Sequence, residues 1–189
     1  MTAFLLHLLR HGAPEQAGLL LGHRDMAATA EGLAACVSRA QGLRVAKVIT
    51  SDLQRCRAAA QAIAAPLGLV AKADPRWREL DFGAWDGMAP AQIEPAALAA
   101  FYRDPDAHAP PGGEPWSALR VRVADALAAL APVDTLVVTH GGAMRAALAA
   151  LCGFSPEQAW AFDLPYAGLL SLKVWPVKPR VAQIVGLAA

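Results

Sequence analysis

Apolar runs and amphipathic stretches alternate along most of the chain. Residues 3–9 (AFLLHLL) form a nearly continuous apolar run, which is typical of a strand buried on both faces of a parallel sheet. Further strands are predicted at residues 45–50, 135–139, 168–175 and 181–187. Apolar positions at helical spacing predict helices within residues 29–41, 53–67, 119–130 and 144–151, with Thr29 as the N-cap of the first. This alternation predicts an α/β fold, a three-layer sandwich around a mostly parallel central sheet.

Prolines are concentrated in one segment. Between Asp74 and Trp116 lie seven of the 14 prolines, in less than a quarter of the chain. Because proline disrupts helices and sheets, long regular elements are not expected there. Ligands of α/β sheets bind beyond the carboxyl ends of the strands, so residues 80–116 are predicted to form a small cap insertion over that edge; a surface insertion without function is the alternative. The length of 189 residues fits a single domain, 1–189.

Composition and charge narrow the functional classes. The chain is 56% hydrophobic and 17% charged, which excludes a disordered protein and predicts a large core. The net charge of +1 gives no basic field for nucleic acid or a membrane surface, so neither partner is expected. No apolar run reaches the roughly 18–20 residues that cross a bilayer, and no cleavable leader is recognised. The three scattered cysteines form no CxxC pair, so we expect a soluble, cytoplasmic protein with free thiols.

Two predicted strands end in similar polar motifs. Arg10-His11-Gly12 follows the first strand, and His140-Gly141-Gly142 follows the strand at residues 135–139. Both imidazoles therefore stand at carboxyl ends of strands, where α/β proteins bind their ligands. Glycine lets an anion approach the backbone, and the amides at the start of the helix after Gly142 add partial positive charge. The pattern predicts a local anion site.

Four further segments complete a wider pattern. They are SDLQRC at 51–56, RELDFGAWDG at 78–87, PGGE at 111–114 and the looser GHRDMAATAEG at 22–32. With the two histidine motifs, these segments resemble the histidine phosphatase superfamily, the phosphoglycerate-mutase-like group, over nearly the whole chain. The short phosphatases, such as α-ribazole phosphatase, are the most similar members. The chain departs from the family pattern at Cys56, where alanine is usual, and at Asp86, where glutamate is usual.

The resemblance implies a catalytic set. Its members are His11, Glu79, Arg10, Arg55 and His140. In this assignment His11 is the nucleophile and forms a phosphohistidine, while the two arginines and His140 hold the phosphoryl oxygens. The guanidinium charges should also disfavour protonation of His11. Glu79 is the expected proton donor, with Asp81 as the alternative. With this much positive charge in the protein itself, no metal and no cofactor is expected.

The same resemblance implies a set of substrate-binding residues. They are Gly12, Ser51, His23, Thr29 and Gly141. Helix capping is the alternative role for Ser51 and Thr29, and a solvated loop position is the alternative for His23. Arg145, on the helix after His140, is expected to face solvent or to pair with a carboxylate.

The function implied is a metal-independent phosphomonoesterase that hydrolyses a small organic phosphate, with α-ribazole 5′-phosphate as one candidate. A cofactor-dependent phosphoglycerate mutase is the first alternative. The short cap favours the phosphatase. So does Ala13-Pro14, which stands where such mutases have Glu-Ser. A regulator that binds a phosphate ligand on the same fold without catalysis is the second alternative. The sequence does not indicate an oligomeric state.

Overall fold

The computed structural model describes residues 2–189 and contains one six-stranded sheet. The strands are β1 (Phe4–Arg10), β2 (Lys47–Thr50), β3 (Ala71–Ala73), β4 (Thr135–Thr139), β5 (Leu169–Trp175) and β6 (Val181–Ala188). Their order across the sheet is β3-β2-β4-β1-β5-β6. The first four in this order pair in parallel, whereas β5 runs antiparallel to both β1 and β6. The predicted α/β fold with a mostly parallel sheet is confirmed.

Six helices connect and cover the strands. They are α1 (Ala30–Arg39), α2 (Gln54–Ala64), α3 (Pro95–Arg103), α4 (Trp116–Ala128), α5 (Gly141–Cys152) and α6 (Pro156–Trp160). Helix α1 begins at Thr29, whose side chain accepts a hydrogen bond from the Gly32 amide. This contact satisfies one of the amides that have no partner within the first turn of a helix.

The core has one layer on each face of the sheet. Leu136 and Val138 of β4 pack with residues of α1 and α2, whereas Val137 between them packs with residues of α4 and α5. All five residues of β4 are buried. Because helices cover both faces, the strands could be recognised from continuous apolar runs rather than from strict alternation.

The proline-rich segment is more regular than the sequence suggested. It contains α3, a nine-residue helix with Pro95 in its first turn. Proline is tolerated there because the amide it lacks would have no partner within the helix. The expectation of no long regular element was therefore wrong for residues 95–103. The three-residue β3 and the five-residue α6 were also not predicted from the sequence.

The topology brings the two histidine motifs to one edge of the sheet. Strands β1 and β4 are neighbours and parallel, with Arg10 opposite Thr139 in the register. His11 and His140 each follow their strand directly. Within residues 2–189 we find no helix that combines the length and the apolar character needed to cross a membrane.

Candidate active site

The rings of His11 and His140 lie side by side at the carboxyl ends of the two central strands. Their centroids are 5.1 Å apart, and the ring planes are inclined at 62°. Both side chains are buried, His11 with 4% of its surface exposed and His140 with none. Only His11 of the pair reaches the wall of the adjoining cavity. His11 therefore faces the cavity, and His140 packs behind His11.

The protonation of His11 is set by its neighbours. Its Nδ1 lies 2.8 Å from the carbonyl oxygen of Gly12. A carbonyl can only accept, so we assign the ring proton to Nδ1, which leaves the lone pair of Nε2 free. Burial, followed by the positive charge of Arg55, holds the pKa of His11 well below its ordinary value, and Arg10 adds to the effect. His11 is thus a neutral imidazole with an unprotonated Nε2.

Arg10 reaches the cavity with unused hydrogen-bonding capacity. Its Nη1 donates to the carbonyl of Leu164 at 2.6 Å, and its guanidinium lies 4.2 Å from the centre of the Tyr166 ring. The Nε of Arg10 is buried and has no partner among the described residues. A buried donor without a partner is costly, so an anion in the cavity would find an available N–H group here.

Arg55 is placed differently from Arg10. It is completely buried and is not part of the cavity wall. Its Nε lies 3.3 Å from Nδ1 of His140. Its Nη atoms donate to three carbonyls of the loop between β1 and α1, those of Leu21, Gly22 and Arg24. One of its five N–H groups remains uncommitted. The charge of Arg55 thus acts from directly behind the two histidines.

His140 has both ring nitrogens engaged. Because Arg55 donates to Nδ1, the ring proton belongs on Nε2, which lies 2.9 Å from the hydroxyl oxygen of Ser51. The thiol sulfur of Cys56 is 3.3 Å from the same nitrogen. Burial is the largest cause of the low pKa of His140, and the charge of Arg55 is the next. Donation from His140 to a phosphoryl oxygen, as implied by the sequence, would require Ser51 to yield its hydrogen bond.

Glu79 and Asp81 are separated by the structure. The carboxylate of Glu79 reaches the cavity and accepts hydrogen bonds from the amides of Gly142 at 3.0 Å and of Leu80 at 2.9 Å. Asp81 instead accepts from the Gly83 amide at 2.9 Å and is not part of the cavity wall. A Cβ atom on Gly142 would overlap the Glu79 carboxylate. The second glycine of the His-Gly-Gly run therefore leaves the space that Glu79 occupies.

Two of the predicted binding residues have structural partners. Thr29 caps α1, and Nε2 of His23 lies 3.1 Å from the carbonyl oxygen of Glu79. Nδ1 of His23 is 3.6 Å from Asp81. Neither Thr29 nor His23 belongs to the cavity wall. Their part in substrate binding stays a prediction.

The predicted binding glycines also differ from each other. Gly141 lines the cavity at the start of α5. Gly12 does not, and a Cβ atom there would overlap the backbone of Gly32. The lack of a side chain at Gly12 therefore serves close packing against α1. Ser51 binds His140 and accepts a hydrogen bond from the Leu53 amide at 3.3 Å, so it contacts the site through His140.

The cavity has a polar end and apolar walls, with a volume of about 240 Å³. Arg10, His11, Glu79 and Arg145 form the polar end. Most of the apolar lining comes from the segment 80–116, from the end of α6 and from the loop before β5. These residues are Leu80, Phe82, Phe101, Tyr102, Trp116, Trp160 and Tyr166. The proline-rich segment therefore contributes a wall of the site.

The structure places Arg145 differently from the sequence prediction, which had it facing solvent or paired with a carboxylate. Arg145 neither faces bulk solvent nor pairs with a carboxylate in residues 2–189. Its Nη2 donates to the carbonyl of Phe162 at 3.2 Å, and its Nε is buried without a partner. No feature of the sequence indicates this placement, because an arginine on a helix is the same residue whichever face it occupies.

Residues 6–185 match the family model described as the histidine phosphatase superfamily, branch 1. The chain belongs to this superfamily. Its likeness to glucosyl-3-phosphoglycerate phosphatase of Mycolicibacterium vanbaalenii is 32% identity over 177 residues, or 82% of this chain and 76% of that protein. Its likeness to adenosylcobalamin/alpha-ribazole phosphatase of Escherichia coli K12 is 27% identity over 173 residues, 83% of each chain.

Solved structures show the same relationship. The mycobacterial glucosyl-3-phosphoglycerate phosphatase in complex with VO3 superposes with a TM-score of 0.87 at 26% identity, covering 97% of this chain and 98% of that one. These relatives are named as phosphatases, and this member of the superfamily is a phosphatase as well. Among residues 2–189 there is no cluster of three or more His, Cys, Asp or Glu side chains suited to a metal ion.

A pair outside the cavity holds this phosphatase's Glu79 segment in place. Arg122 of α4 forms an ion pair with Glu114, the last residue of the PGGE segment. The same guanidinium donates to the carbonyls of Arg76, Arg78 and Glu79 at 2.9, 2.7 and 2.6 Å. The motif that contains Glu114 was noted in the sequence, but Arg122 was not.

Proposed function

We propose that this phosphatase hydrolyses a small organic phosphate monoester through a phosphohistidine at His11, without a metal. The observation that carries the proposal is the neutral His11 with a free Nε2 at the wall of a cavity that Arg10 and Glu79 also line. Nucleophilic attack requires an unprotonated ring nitrogen, and the phosphoryl oxygens require positive charge around them.

The reaction has two steps. In the first, Nε2 of His11 forms a bond to phosphorus as the bond to the ester oxygen breaks, and the protonated Glu79 gives its proton to the leaving oxygen. In the second, Glu79 takes a proton from water, whose oxygen attacks phosphorus while the bond to Nε2 breaks. Phosphate and an alcohol are released, and His11 and Glu79 return to their starting states.

The positive groups divide into two roles in this proposal. Arg10 and the amides at the start of α5 contact the phosphoryl oxygens. Arg55 and His140 lie behind His11, where burial and, after it, the charge of Arg55 lower the pKa of both imidazoles. Ser51 holds His140 and, through it, the arrangement of the pair. The protein thus supplies the charge that a metal ion supplies in other phosphatases.

The cavity favours a small ester as substrate. A volume of about 240 Å³ with aromatic walls suits one organic group next to the phosphate. The substrates named for two relatives, α-ribazole 5′-phosphate and glucosyl-3-phosphoglycerate, are both candidates. Similarity to named phosphatases supports hydrolysis over the mutase reaction, and the retention of all five catalytic candidates supports an enzyme over a non-catalytic binder.

The nucleophile is tested with His11→Ala. We expect the wild type to release p-nitrophenol from p-nitrophenyl phosphate in excess chelator and to carry acid-labile phosphate after rapid quenching. His11→Ala should lower kcat by at least about three orders of magnitude and abolish the label. His108→Ala, an exposed histidine of the cap segment, is the matched control and should keep both. A labelled His11→Ala protein would assign the nucleophile to another residue.

The substrate is tested with a panel of esters. Phosphate release from α-ribazole 5′-phosphate, glucosyl-3-phosphoglycerate and 3-phosphoglycerate is measured with and without 2,3-bisphosphoglycerate. Release that does not depend on the bisphosphate supports the phosphatase, and the highest kcat/KM identifies the preferred ester. Phosphoryl transfer that depends on the bisphosphate would indicate a mutase, and inactivity on all esters, p-nitrophenyl phosphate included, would indicate a non-catalytic binder.

A further inference from the structure

Two guanidinium groups converge beside Gly141 at the polar end of the cavity. A Cβ atom placed on Gly141 would lie 3.2 Å from Nη1 of Arg145 and 3.5 Å from Nε of Arg10. The two cations are therefore close to each other. Neither forms an ion pair with a carboxylate in residues 2–189. Two guanidinium charges thus share the polar end of the cavity with a single carboxylate, that of Glu79.

The surroundings of the two arginines repeat each other. Arg10 lies over the ring of Tyr166 and donates to the carbonyl of Leu164; Arg145 lies over the ring of Trp160 and donates to the carbonyl of Phe162. In both, Nε is buried and has no partner. The protein fixes each guanidinium by one carbonyl and one aromatic face and leaves a donor free. This is the form of an anion site with two positions.

The aromatic neighbours show which part of a ligand each position would receive. Tyr166 is next to the nucleophile, with 5.4 Å between its ring centre and that of His11. Trp160 is instead next to Trp116 at the end of the cap segment, with 5.1 Å between ring centres. Arg10 therefore belongs to the phosphoryl side of the cavity, and Arg145 belongs to the side where the leaving group must lie.

The guanidinium of Arg145 is partly removed from water. Burial lowers its pKa, the charges of Glu79 and Asp163 oppose that change, and the charge of Arg10 adds to it. A guanidinium that is partly desolvated and lacks a full complement of partners gains most from a second anion in the ligand.

We propose that Arg145 binds a carboxylate on the leaving-group part of the substrate, so that the enzyme prefers phosphate esters that carry a second negative charge. This inference rests on the proposed function and refines it. Arg145 would donate from Nε and Nη2 to the two carboxylate oxygens, the same pair of nitrogens through which Arg78 holds Asp52. The phosphoryl group itself would stay with Arg10 and His11.

The test compares two esters that differ in one group. 3-Phosphoglycerate carries a carboxylate where sn-glycerol 3-phosphate carries a hydroxymethyl group. In the wild type, kcat/KM should be at least about ten-fold higher for 3-phosphoglycerate, which corresponds to about 1.4 kcal/mol. In Arg145→Gln this ratio should fall to about one, mainly through a higher KM for 3-phosphoglycerate, because the contact is made before and during reaction alike. Arg145→Lys should recover part of the ratio.

Arg120→Gln is the matched control, because Arg120 is an exposed arginine of α4 away from the cavity, and its ratio should equal that of the wild type. An equal loss for both esters in Arg145→Gln would overturn the proposal, because it would place Arg145 on the phosphoryl group. A wild-type ratio near one would overturn it as well.

A binding experiment separates this inference from the proposed function. Phosphonoacetate and ethylphosphonate have similar shapes, and only the first carries a carboxylate. By calorimetry the wild type should bind phosphonoacetate at least about ten-fold more tightly, and Arg145→Gln should lose that difference. If p-nitrophenyl phosphate is not hydrolysed, the proposed function fails, while these affinities still support or overturn the role of Arg145.

Discussion

At the scale of single residues, the two histidines show that one motif can carry two protonation patterns. Both follow a central strand and precede glycine. A carbonyl next to Nδ1 leaves the lone pair of His11 on Nε2, whereas the Arg55 donor next to Nδ1 places the proton of His140 on Nε2. One ring can therefore attack and the other can only donate. Gly12 belongs to the first motif, but Arg55 is 85 positions from His140 in the sequence, so the second motif alone does not reveal its protonation.

Glu79→Gln tests the proton donor. An alkyl ester has a strongly basic leaving oxygen that needs a proton, whereas p-nitrophenolate leaves without one. We expect kcat/KM, which reports the first step and not the shared hydrolysis of the phosphohistidine, to fall at least about 100-fold for an alkyl phosphate and less than about 10-fold for p-nitrophenyl phosphate. Glutamine retains an acceptor for the Gly142 amide but loses the one for the Leu80 amide, so the fold of the variant is checked by circular dichroism.

The control for this prediction is Asp81→Asn, which changes the carboxylate that lies outside the cavity. It should affect both esters to the same small degree. If instead the loss for the alkyl ester appears in Asp81→Asn and not in Glu79→Gln, Asp81 is the donor. An equal loss for both esters in Glu79→Gln would leave Glu79 with a structural role.

At the scale of elements, the catalytic groups depend on contacts between segments that are far apart in sequence. The carboxylate of Asp86 accepts hydrogen bonds from the amides of Gly22 and Arg24 at 2.9 and 2.8 Å. The carbonyls of the same two residues accept from Arg55. Asp86, which stands where relatives usually have glutamate, thus fixes the loop that holds Arg55. The substitution keeps the carboxylate function in a shorter side chain.

Arg122→Gln tests whether α4 positions the proton donor. Glutamine cannot bind three carbonyls and Glu114 together, so the segment before Glu79 loses its anchor. We expect kcat/KM to fall about ten-fold for an alkyl phosphate and less for p-nitrophenyl phosphate, as in Glu79→Gln but to a smaller extent. Rates for a series of leaving groups provide the measurement.

The leaving-group series distinguishes positioning from general destabilisation. Arg76→Gln changes a neighbouring arginine whose main partner is Asp74, and it serves as the control. A parallel decrease for all leaving groups in Arg122→Gln would show that the pair only stabilises the fold. Addition of Arg122→Gln to Glu79→Gln should cause little further loss, because both changes act on the same proton transfer.

The elements that the sequence predicted are those whose signal is local. Strand β4 coincides with residues 135–139, and Thr29 caps α1 as expected. Helix α3 was not predicted because prolines in a first turn look like helix breakers. The prediction for Arg145 was wrong because its position depends on the packing of α5 against Trp160, at the end of α6, and Phe162, in the loop after it. No periodicity along α5 encodes that contact.

At the scale of the whole molecule, burial of neutral histidines links the site to stability. His7, His11 and His140 all have a pKa below the ordinary value of 6.5, with burial as the largest cause in each. Above pH 6.5 the folded and unfolded chains are both unprotonated at these positions, so no stability is lost. As the pH falls below 6.5, the unfolded chain takes up protons that the folded chain refuses, and unfolding becomes more favourable. Carboxylates affect the stability at lower pH than the histidines do. The hydrogen bond from Arg78, for example, lowers the pKa of Asp52 from 3.8.

Between pH 7 and pH 5, the change in the free energy of unfolding therefore comes from the histidines. We expect the free energy of unfolding, from urea titrations at several pH values, to fall across this interval by up to about 1.4 kcal/mol per pH unit for each histidine that stays neutral. His140→Gln should show a shallower decrease than the wild type, whatever its stability at pH 7, whereas His108→Gln, at an exposed position, should keep the wild-type slope. An unchanged slope in His140→Gln would mean that His140 becomes protonated in the folded protein. That result would contradict the assignment of His140 as a neutral ring, because an imidazolium has no lone pair on Nδ1 to accept the hydrogen bond from Arg55.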